Sequence, residues 1–303
     1  MSQDPGQPYA NNGTNFVAAH SDTYPAIDPT KADLSGKYVL ITGASKGVGK
    51  AAAISYAQAG ASGIAIGARS PLEQVSQQML AAAKKAGRNP PNIVTLQLDV
   101  TSGASVSAAL AQVSAAFSGR LDILINNAGY LSPFAPIADT DPDDWWRDWE
   151  VNVKGVYLMT RAFIPLLARS AARTVVNITS IGAHVPVPGA SAYAPAKLAV
   201  LRFSEYINSD HAAEGILAFS VHPGGVKTEL ALGMPEALHA LLVDEVELAA
   251  DSLVWLTRER REWLAGRYVS VNWDVEELEG RKEDILRGDL LKVRMAVNAF
   301  PSA

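Results

Sequence analysis

The sequence predicts an α/β fold, in which a single domain forms around a doubly wound parallel sheet of about seven strands with helices on both faces. Two observations lead to this prediction. Short runs of consecutive apolar residues alternate along the chain with longer, often Ala-rich helical segments. Because adjacent positions in each run are apolar, the runs predict strands that are buried on both faces. The alternation predicts βα units, whose strands lie parallel.

The predicted elements follow one another from residue 38 onwards. The strands cover 38–42, 63–67, 93–98, 121–125, 174–179, 216–221 and 267–271. The helices cover 46–60, 71–85, 102–117, 143–169, 192–214 and 243–257. Local signals place helix ends: Gly60 suits a C-terminus, Pro71 lies near the start of the second helix, and Gly87 lies just past its end.

Composition divides the chain into an arm, one catalytic domain and a tail. No linker interrupts 34–275, which is predicted to form the dinucleotide-binding catalytic domain. Residues 1–33 are mostly polar, and Phe16, Tyr24 and Ile27 are the large apolar side chains that could anchor them. They are predicted to form either a flexible arm or an arm that docks on the body or on a neighbouring subunit. The charged tail, 276–303, is predicted to form a surface helix.

Composition also excludes several classes of function. The chain has 303 residues, a net charge of −5 and no dense Lys/Arg block, so neither nucleic acid nor a membrane is expected as a partner. It has no cysteine, which excludes disulfides, thiolate catalysis and Cys-ligated zinc, and no metal site is predicted. We find no signal peptide, no Arg-rich presequence and no apolar run approaching ~20 residues, so a cytoplasmic location is expected.

A glycine-rich loop after the first strand predicts a phosphate site. The segment Thr42-Gly-Ala-Ser-Lys-Gly-Val-Gly49 follows a strand and opens a helix. Glycine lets the backbone approach a pyrophosphate, and free N–H groups at a helix start attract it. The Gly-x-x-x-Gly-x-Gly spacing differs from the more familiar Gly-x-Gly-x-x-Gly. The predicted contacts are Gly43, Ser45, Lys46, Gly47, Val48 and Gly49.

The end of the second strand indicates which dinucleotide binds. An acid about ~20 residues past the loop would hold the ribose 2′-hydroxyl of NAD. Here Ile66-Gly-Ala-Arg69-Ser70 contains no acid, and Arg69 offers a guanidinium group to a 2′-phosphate. Lys46 could add a second positive charge. The predicted cofactor is therefore NADP(H).

Two further strand ends fit cofactor contact, because ligands of open α/β sheets bind at the carboxyl ends of the strands. Asp99 and Val100 follow the third strand, where a carboxylate could accept from the adenine amino group. The fourth strand ends in Asn126-Asn-Ala128-Gly129, where small residues let the backbone lie against a ribose and Asn126 can fix the strand geometry.

Tyr193 and Lys197 lie four residues apart in Ser191-Ala-Tyr-Ala-Pro-Ala-Lys197, on one face of a predicted helix. The ammonium is expected to lower the tyrosine pKa from its free value near ~10, towards the range useful for acid–base catalysis. Pro195 fits only the first turn of a helix, so the helix is predicted to start close to Tyr193. Ser180 follows the fifth strand, thirteen residues upstream of Tyr193.

Together these motifs resemble the single-domain branch of the short-chain dehydrogenase/reductase family, with a rhythm of the last strand and tail similar to fungal members associated with secondary metabolism. The resemblance covers about 36–275. It rests on Gly43-x-x-x-Gly47-x-Gly49, Asn126-Asn-Ala-Gly129, Asn152, Ser180, Tyr193-x-x-x-Lys197 and Pro223-Gly224. It implies a Rossmann-type fold and hydride transfer between a nicotinamide and a carbonyl or alcohol carbon.

The resemblance also implies roles for individual residues. Tyr193 would transfer a proton to or from the substrate oxygen, Ser180 would hydrogen-bond the same oxygen, and Lys197 would contact the nicotinamide ribose. Asn152 would anchor a water in a proton relay. The nicotinamide end would be contacted by Pro223, Gly224, Val226 and Thr228.

The substrate is predicted only as a class. The expected pocket walls, 130–137, 182–189 and the stretch after Thr228, are apolar and Pro-rich, which favours a hydrophobic or aromatic ketone. His184 is interpreted as a loop residue rather than a second acid–base group. The Trp145, Trp146 and Trp149 cluster is interpreted as packing of a helix onto the core or a partner, with lining of the substrate mouth as the alternative.

The leading prediction is an NADPH-dependent ketone reductase. Its alternatives are an alcohol dehydrogenase running oxidatively, a catalytically silent NADP-binding regulator, and a dehydratase or epimerase. The predicted helices 143–169 and 192–214 are apolar on more than one face, and in this family the corresponding helices pair across subunits. A homodimer or homotetramer is therefore expected.

Overall fold

A computed structural model of the protein describes residues 13–295. Its seven strands form one parallel sheet in the order β3-β2-β1-β4-β5-β6-β7, which confirms the predicted fold class. The strands are β1 (Tyr38–Thr42), β2 (Gly63–Ala68), β3 (Asn92–Gln97), β4 (Ile123–Asn126), β5 (Thr174–Ile178), β6 (Leu217–His222) and β7 (Tyr268–Ser270).

Nine α-helices lie within the described residues. They are α1 (Gly47–Gln58), α2 (Glu73–Lys85), α3 (Gly103–Ala116), α4 (Pro142–Trp149), α5 (Val156–Leu167), α6 (Tyr193–Asp210), α7 (Val246–Arg258), α8 (Val275–Gly280) and α9 (Lys282–Arg287). A π-helical segment, Glu150–Gly155, joins α4 to α5.

Each face of the sheet supports its own hydrophobic core, because neighbouring residues of a strand point to opposite faces. Val39 and Ile41 contribute to the core beneath α1, α2 and α7. Leu40, between them, contributes to the core beneath α3, α5 and α6. Helices pack on both faces of the sheet and so bury the apolar side chains on each face of every strand. This burial is the physical reason for the doubly wound arrangement.

One predicted helix start is confirmed by the structure, and one predicted helix is divided into three segments. The helix containing Tyr193 begins at Tyr193 itself, which confirms the argument from Pro195. The predicted continuous helix over 143–169 is instead α4, the π segment and α5. Gly155, at the end of the π segment, packs so closely that an added Cβ would lie 2.7 Å from Val100 Cγ2. This close packing depends on a distant part of the chain, which helical periodicity cannot reveal.

The described part of the N-terminal arm lies on the body. Trp273 Nε1 donates to the Gly13 carbonyl oxygen at 2.9 Å, and the Phe16 and Trp273 rings lie 5.3 Å apart. Ile27 is 1% exposed. These contacts support the docking alternative for residues 13–33, while residues 1–12 of the predicted arm lie outside the described residues.

The tail forms two short helices, α8 and α9, in place of one predicted surface helix. They bury Leu278 and Ile285 in the core beneath α7. Residues 296–303 lie outside the described residues. Over the part of the chain that the structure covers, we find no helix with the length and apolar character needed to cross a membrane.

Candidate active site

The glycine-rich loop between β1 and α1 needs glycine for two different reasons. Gly43 and Gly47 have φ angles of +65° and +55°, in the left-handed region. A Cβ at Gly49 would lie 2.5 Å from the Gly43 carbonyl oxygen and would also clash with the Asn127 amide. Among the described residues, no side chain caps the first turn of α1, so its N–H groups are available to an anion.

Asn127 holds this loop and is absent from the predicted site. Its Nδ2 donates to the carbonyl oxygens of Thr42 at 2.9 Å and Gly43 at 3.2 Å. In return, Thr42 Oγ1 accepts from the N–H groups of Asn127 and Ala128, both at 3.0 Å. One feature of the sequence could have indicated this role, since Asn127 is a second amide directly after Asn126. Gly129 continues this wall, where an added Cβ would lie 3.3 Å from Asn152 Oδ1.

Asn126 itself uses its side chain inside the protein. Its Nδ2 donates to Asn177 Oδ1 at 2.8 Å and to Thr160 Oγ1 at 3.1 Å. The residue is buried, and these bonds tie β4 to β5 and α5. Its position therefore matches the expectation that it fixes strand geometry.

Arg69 and Asp99 lie close together at the ends of neighbouring strands. Arg69 is exposed just past β2, and its charge acts on Asp99. Burial raises the pKa of Asp99, but hydrogen bonds from Thr101 and the charges of Arg69 and Arg147 outweigh burial and bring the pKa below its usual value. Asp99 is therefore ionised at neutral pH, beside an exposed guanidinium.

Lys46 meets a carboxylate across the mouth of the cleft. Its Nζ lies 2.6 Å from Glu229 Oε1, and both side chains are largely exposed. An exposed pair of this kind contributes about 0–1 kcal/mol, so a stronger anion could displace Glu229. The two walls also meet beneath this pair, because a Cβ at Gly47 would lie 3.1 Å from Thr228 Cγ2.

The segment after β6 is held from behind by Asp244, another residue that sequence reasoning missed. Asp244 Oδ2 accepts from the Gly225 N–H at 2.5 Å and from Asn272 Nδ2 at 2.9 Å. Gly224 has a φ of +81°, and an added Cβ would lie 2.7 Å from that same oxygen. The predicted contact Val226 forms a β-bridge with Asp244. This turn therefore fixes the segment that begins at Pro223.

Ser180, Tyr193 and Lys197 are brought together where β5 meets the start of α6. The Ser180 hydroxyl accepts from the Gly182 N–H at 3.0 Å and lies close enough to the Tyr193 phenol to lower its pKa. Lys197 Nζ lies 5.6 Å from the centroid of the Tyr193 ring and donates to the Ile178 carbonyl oxygen at 3.0 Å. Thr179 Oγ1 donates to the Lys197 carbonyl oxygen at 2.9 Å, which ties the strand end to the helix.

The predicted lowering of the tyrosine pKa is wrong for the protein chain by itself. Burial raises the pKa of Tyr193 to about 12, against the lowering effect of the Ser180 hydroxyl, and the charge of Asp148 raises it further. Burial lowers the pKa of Lys197 to about 8, against the raising effect of Asp148. Spacing in the sequence revealed that the two groups are paired, but it did not reveal the burial that shifts both pKa values.

Asn152 lies in the π segment, which packs against α6. Its Nδ2 donates to the Tyr130 carbonyl oxygen at 2.8 Å, and its Oδ1 accepts from the Tyr130 N–H at 3.2 Å. Nδ2 also donates to Asp148 Oδ1 at 3.2 Å. Asp148 is fully buried, and the predicted site did not include it, although it lies one helical turn before Asn152.

The predicted substrate walls adjoin one another beside this group. The Ala135 N–H donates to the Gly189 carbonyl oxygen at 3.2 Å, which joins 130–137 to 182–189. The Leu230 side chain lies opposite Gly129, where an added Cβ would come within 3.5 Å of it. His184 lies in a 3₁₀ turn against Tyr268, and burial lowers its pKa.

The tryptophan cluster mainly packs α4 onto its surroundings. The rings of Trp145, Trp146 and Trp149 stack with centroids 6.0–6.3 Å apart. Trp145 Nε1 donates to Ser191 Oγ at 3.1 Å, two residues before Tyr193. Trp146 is 57% exposed.

A large cavity of about 1050 Å³ lies elsewhere, between the N-terminal arm, α1, α2 and the start of α7. Of the cleft residues described above, Gly47, Val226, Thr228 and Glu229 line it, whereas Ser180 and Tyr193 do not. Its size therefore does not mark it as the reaction site.

The sequence of the chain is similar to those of known short chain dehydrogenases. Residues 37–237 match the sequence model of the short chain dehydrogenases. The chain is 54% identical over 278 residues to the short chain dehydrogenase mpl6 of Monascus purpureus, covering 92% of this chain and 95% of that protein.

Two solved structures share the fold. A 7α-hydroxysteroid dehydrogenase complexed with NADH and 7-oxo glycochenodeoxycholic acid has a TM-score of 0.70 at 22% identity, covering 82% of this chain and 97% of its own. A 3-ketoacyl-(acyl-carrier-protein) reductase from Brucella melitensis complexed with NADH has a TM-score of 0.68 at 26% identity, covering 79% and 98%. By its sequence and its fold, the chain belongs to the short chain dehydrogenase family of oxidoreductases.

Proposed function

We propose that this protein reduces a hydrophobic or aromatic ketone to an alcohol with NADPH, and that Tyr193 is the general acid. The observation that carries the proposal is the position of Tyr193 at the first residue of α6, with the buried Lys197 Nζ 5.6 Å from its ring and the Ser180 hydroxyl near its phenol. These groups meet at the carboxyl edge of the sheet, at the same edge as the bare glycine loop.

The protein groups fit the two proton-handling requirements of ketone reduction. Burial keeps Tyr193 protonated at neutral pH, as a general acid must be before it donates. The Ser180 hydroxyl donates a hydrogen bond to the carbonyl oxygen of the ketone, which is the oxygen that Tyr193 protonates. This bond stabilises the negative charge that develops on that oxygen. Lys197 places a positive charge beside the phenol as the phenol loses its proton. When bound, NADPH supplies the hydride that reduces the carbonyl carbon.

The glycine loop and its surroundings fit a dinucleotide. A Cβ at Gly43 or Gly49 would fill the space against the Asn127 side, so a glycine-only cradle is left for a pyrophosphate. Arg69, exposed at the end of β2 where the chain has no acid, supports a 2′-phosphate and hence NADPH. Both solved relatives described above hold NADH, so NADH use is the specific alternative to measure.

The substrate class is supported by the apolar walls of the cleft. Leu230, Leu232, Leu241 and Val243 are exposed along the segment after Thr228, as expected of side chains that contact an apolar ligand. An aromatic or polyketide-like ketone suits such a surface. A role in secondary metabolism and a cytoplasmic location, both expected from the sequence, stay predictions.

Oligomer formation is the second part of the proposal. Tyr157 on α5 and Leu198 on α6 are 47% and 37% exposed, although both are large and apolar. We expect these helices to pair across subunits in a homodimer or homotetramer. Light scattering of the purified protein measures this directly, and the double variant Tyr157→Glu with Leu198→Glu should shift it towards the monomer.

The deciding experiment is a ketone panel assayed by loss of NADPH absorbance. Wild-type protein should reduce aromatic ketones with NADPH at least tenfold faster than with NADH. Tyr193→Phe should lower turnover at least a hundredfold, while Tyr206→Phe, an exposed tyrosine on the same helix, should leave it unchanged.

The other outcomes favour other functions. Survival of turnover in Tyr193→Phe would exclude Tyr193 as the general acid. Absence of turnover with every ketone, together with tight NADPH binding, would favour the silent regulator. Turnover only from alcohol and NADP⁺ would favour the oxidative enzyme.

A further inference from the structure

Asp148 is a carboxylate buried completely within the catalytic region. It is 0% exposed and lies on α4, one turn before Asn152. A buried carboxylate is costly unless hydrogen bonds replace the lost water. Here Asp148 Oδ2 accepts from the Ser132 N–H at 3.0 Å, and Oδ1 accepts from Asn152 Nδ2 at 3.2 Å. The reaction proposed above leaves this group without a role.

The hydrogen bonds of Asn152 show what the carboxylate does locally. The two Nδ2 hydrogens go to the Tyr130 carbonyl oxygen and to Asp148, while Oδ1 accepts from the Tyr130 N–H. Turning the carboxamide over would set its oxygen against two acceptors, one of them a carboxylate. Asp148 and the backbone of Tyr130 together therefore permit only one orientation of Asn152.

Asp148 also places a buried negative charge near the catalytic pair. The titratable groups it interacts with are Asp144 on its own helix, Tyr130 before α4, and Tyr193 and Lys197 on α6. Its charge raises the pKa of both Tyr193 and Lys197. In a region with little water, such a charge acts over a longer distance than it would at the surface.

We propose that Asp148 is a positioning residue for the reductase reaction: it fixes the carboxamide of Asn152 and supplies a buried counter-charge for Lys197. The inference depends on the proposed function, since the reaction provides its main measurement. Asp148 acts through Asn152 and Lys197 and does not itself contact the substrate.

The test compares Asp148→Asn with Asp143→Asn, which removes the same charge from an exposed position on the same helix. The assay uses NADPH and an aromatic ketone that the wild-type protein reduces. Asparagine offers one acceptor where the site needs two, so kcat should fall about 10–100-fold. Because the lost charge had raised the pKa of Tyr193 and Lys197, the alkaline limb of kcat/KM should move to lower pH by about half a unit or more. Asp143→Asn should leave both unchanged.

A double-mutant cycle separates positioning from a general effect on the fold. If Asp148 acts through Asn152, Asp148→Asn should lower kcat much less in an Asn152→Ala background than in the wild type. The NADPH dissociation constant and the thermal unfolding midpoint show whether each variant is folded. Should Asp148→Asn fail to fold, Asp148→Ser, which keeps a hydroxyl acceptor without the charge, replaces it.

Two outcomes would overturn the inference. One is a folded Asp148→Asn protein with the wild-type pH profile, and the other is fully additive losses in the double-mutant cycle. Failure of the proposed function is a different result, because Tyr193→Phe would then retain activity. Loss of activity in Tyr193→Phe with an unaltered Asp148→Asn protein leaves the reductase proposal intact and removes only the role of Asp148.

Discussion

The Ile181 N–H donates a hydrogen bond to His222 Nδ1, 3.2 Å away. This bond joins the turn directly after Ser180 to the last residue of β6, which leads into Pro223 and Gly224. The Ser180 turn and the segment after β6 are therefore tied by one imidazole. His222 can accept this bond only while Nδ1 carries no proton.

His222 should make the protein sensitive to acid. Burial lowers the pKa of His222 to about 3, and His184 lowers it further. Because the folded-state pKa lies below the unfolded value near ~6.5, the stabilisation is complete above about pH 6.5 and is lost as the pH falls towards 3. His222→Asn keeps an acceptor without the titration. Between pH 6.5 and 4, its free energy of unfolding should fall by about 2–4 kcal/mol less than that of the wild type.

Urea unfolding at a series of pH values measures this difference. His211→Asn is the control, because His211 lies at the end of α6, outside the buried core. Parallel loss of stability in His222→Asn and the wild type would show that His222 is not the acid-sensitive group.

Gly49→Ala should disrupt the glycine-rich loop. The new methyl group would lie 2.5 Å from the Gly43 carbonyl oxygen and against the Asn127 amide. We expect the NADPH dissociation constant to rise at least tenfold and the free energy of unfolding to fall by about 1–3 kcal/mol. Gly103→Ala provides a matched control at the start of α3, since an added Cβ there meets no described atom within 4 Å. Equal tolerance of the two variants would contradict the close packing of Gly49.

Buried parallel strands were the most predictable part of the fold. β1 covers the predicted residues 38–42 without change, because a strand covered on both faces is apolar at consecutive positions, as Val39, Leu40 and Ile41 are. The start of α6 was equally accessible, since Pro195 restricts it by local backbone geometry alone.

The supporting residues of the site were much harder to predict. Asp148 contacts the backbone of Ser132, sixteen residues away, and Asp244 supports Gly225 from nineteen residues away. Such partners are set by tertiary structure, so a polar side chain within a helix or loop looks like any exposed one in the sequence. The π-helical segment at Asn152 was not predicted for the same reason. Catalytic and cofactor-binding residues belong to recognisable sequence motifs, whereas the residues that hold them in place belong to no motif.

Arg69 should determine the preference for NADPH. Arg69→Ala removes the guanidinium and leaves Arg147 as the remaining cation that acts on the ionised Asp99. This loss of positive charge disfavours a 2′-phosphate, so KM for NADPH should rise about 10–100-fold while KM for NADH changes little. Arg161→Ala, an exposed arginine on α5, is the control. Initial rates with each cofactor decide the matter, and an equal rise in both KM values would show that Arg69 does not read the 2′ position.

Thr23 should help to fasten the N-terminal arm through a buried carboxylate. Thr23 Oγ1 donates to Asp251 Oδ2 at 2.6 Å, and Ser55 Oγ donates to Asp251 Oδ1 at 2.6 Å. Burial raises the pKa of Asp251, against the lowering effect of these two hydroxyls. Thr23→Val leaves one carboxylate oxygen without its donor, so the free energy of unfolding should fall by about 1–2 kcal/mol.

The same variant should expose the arm to proteases. Limited proteolysis should cut Thr23→Val faster than the wild type within residues 13–28, because local opening there becomes cheaper while the body stays closed. Thr30→Val is the matched control, since among the described residues the Thr30 hydroxyl bonds the nearby, half-buried Asp28. Faster cutting in Thr30→Val as well would indicate a general loosening of the arm. Unchanged cutting in Thr23→Val would mean that the contacts around Trp273 hold the arm without the link to Asp251.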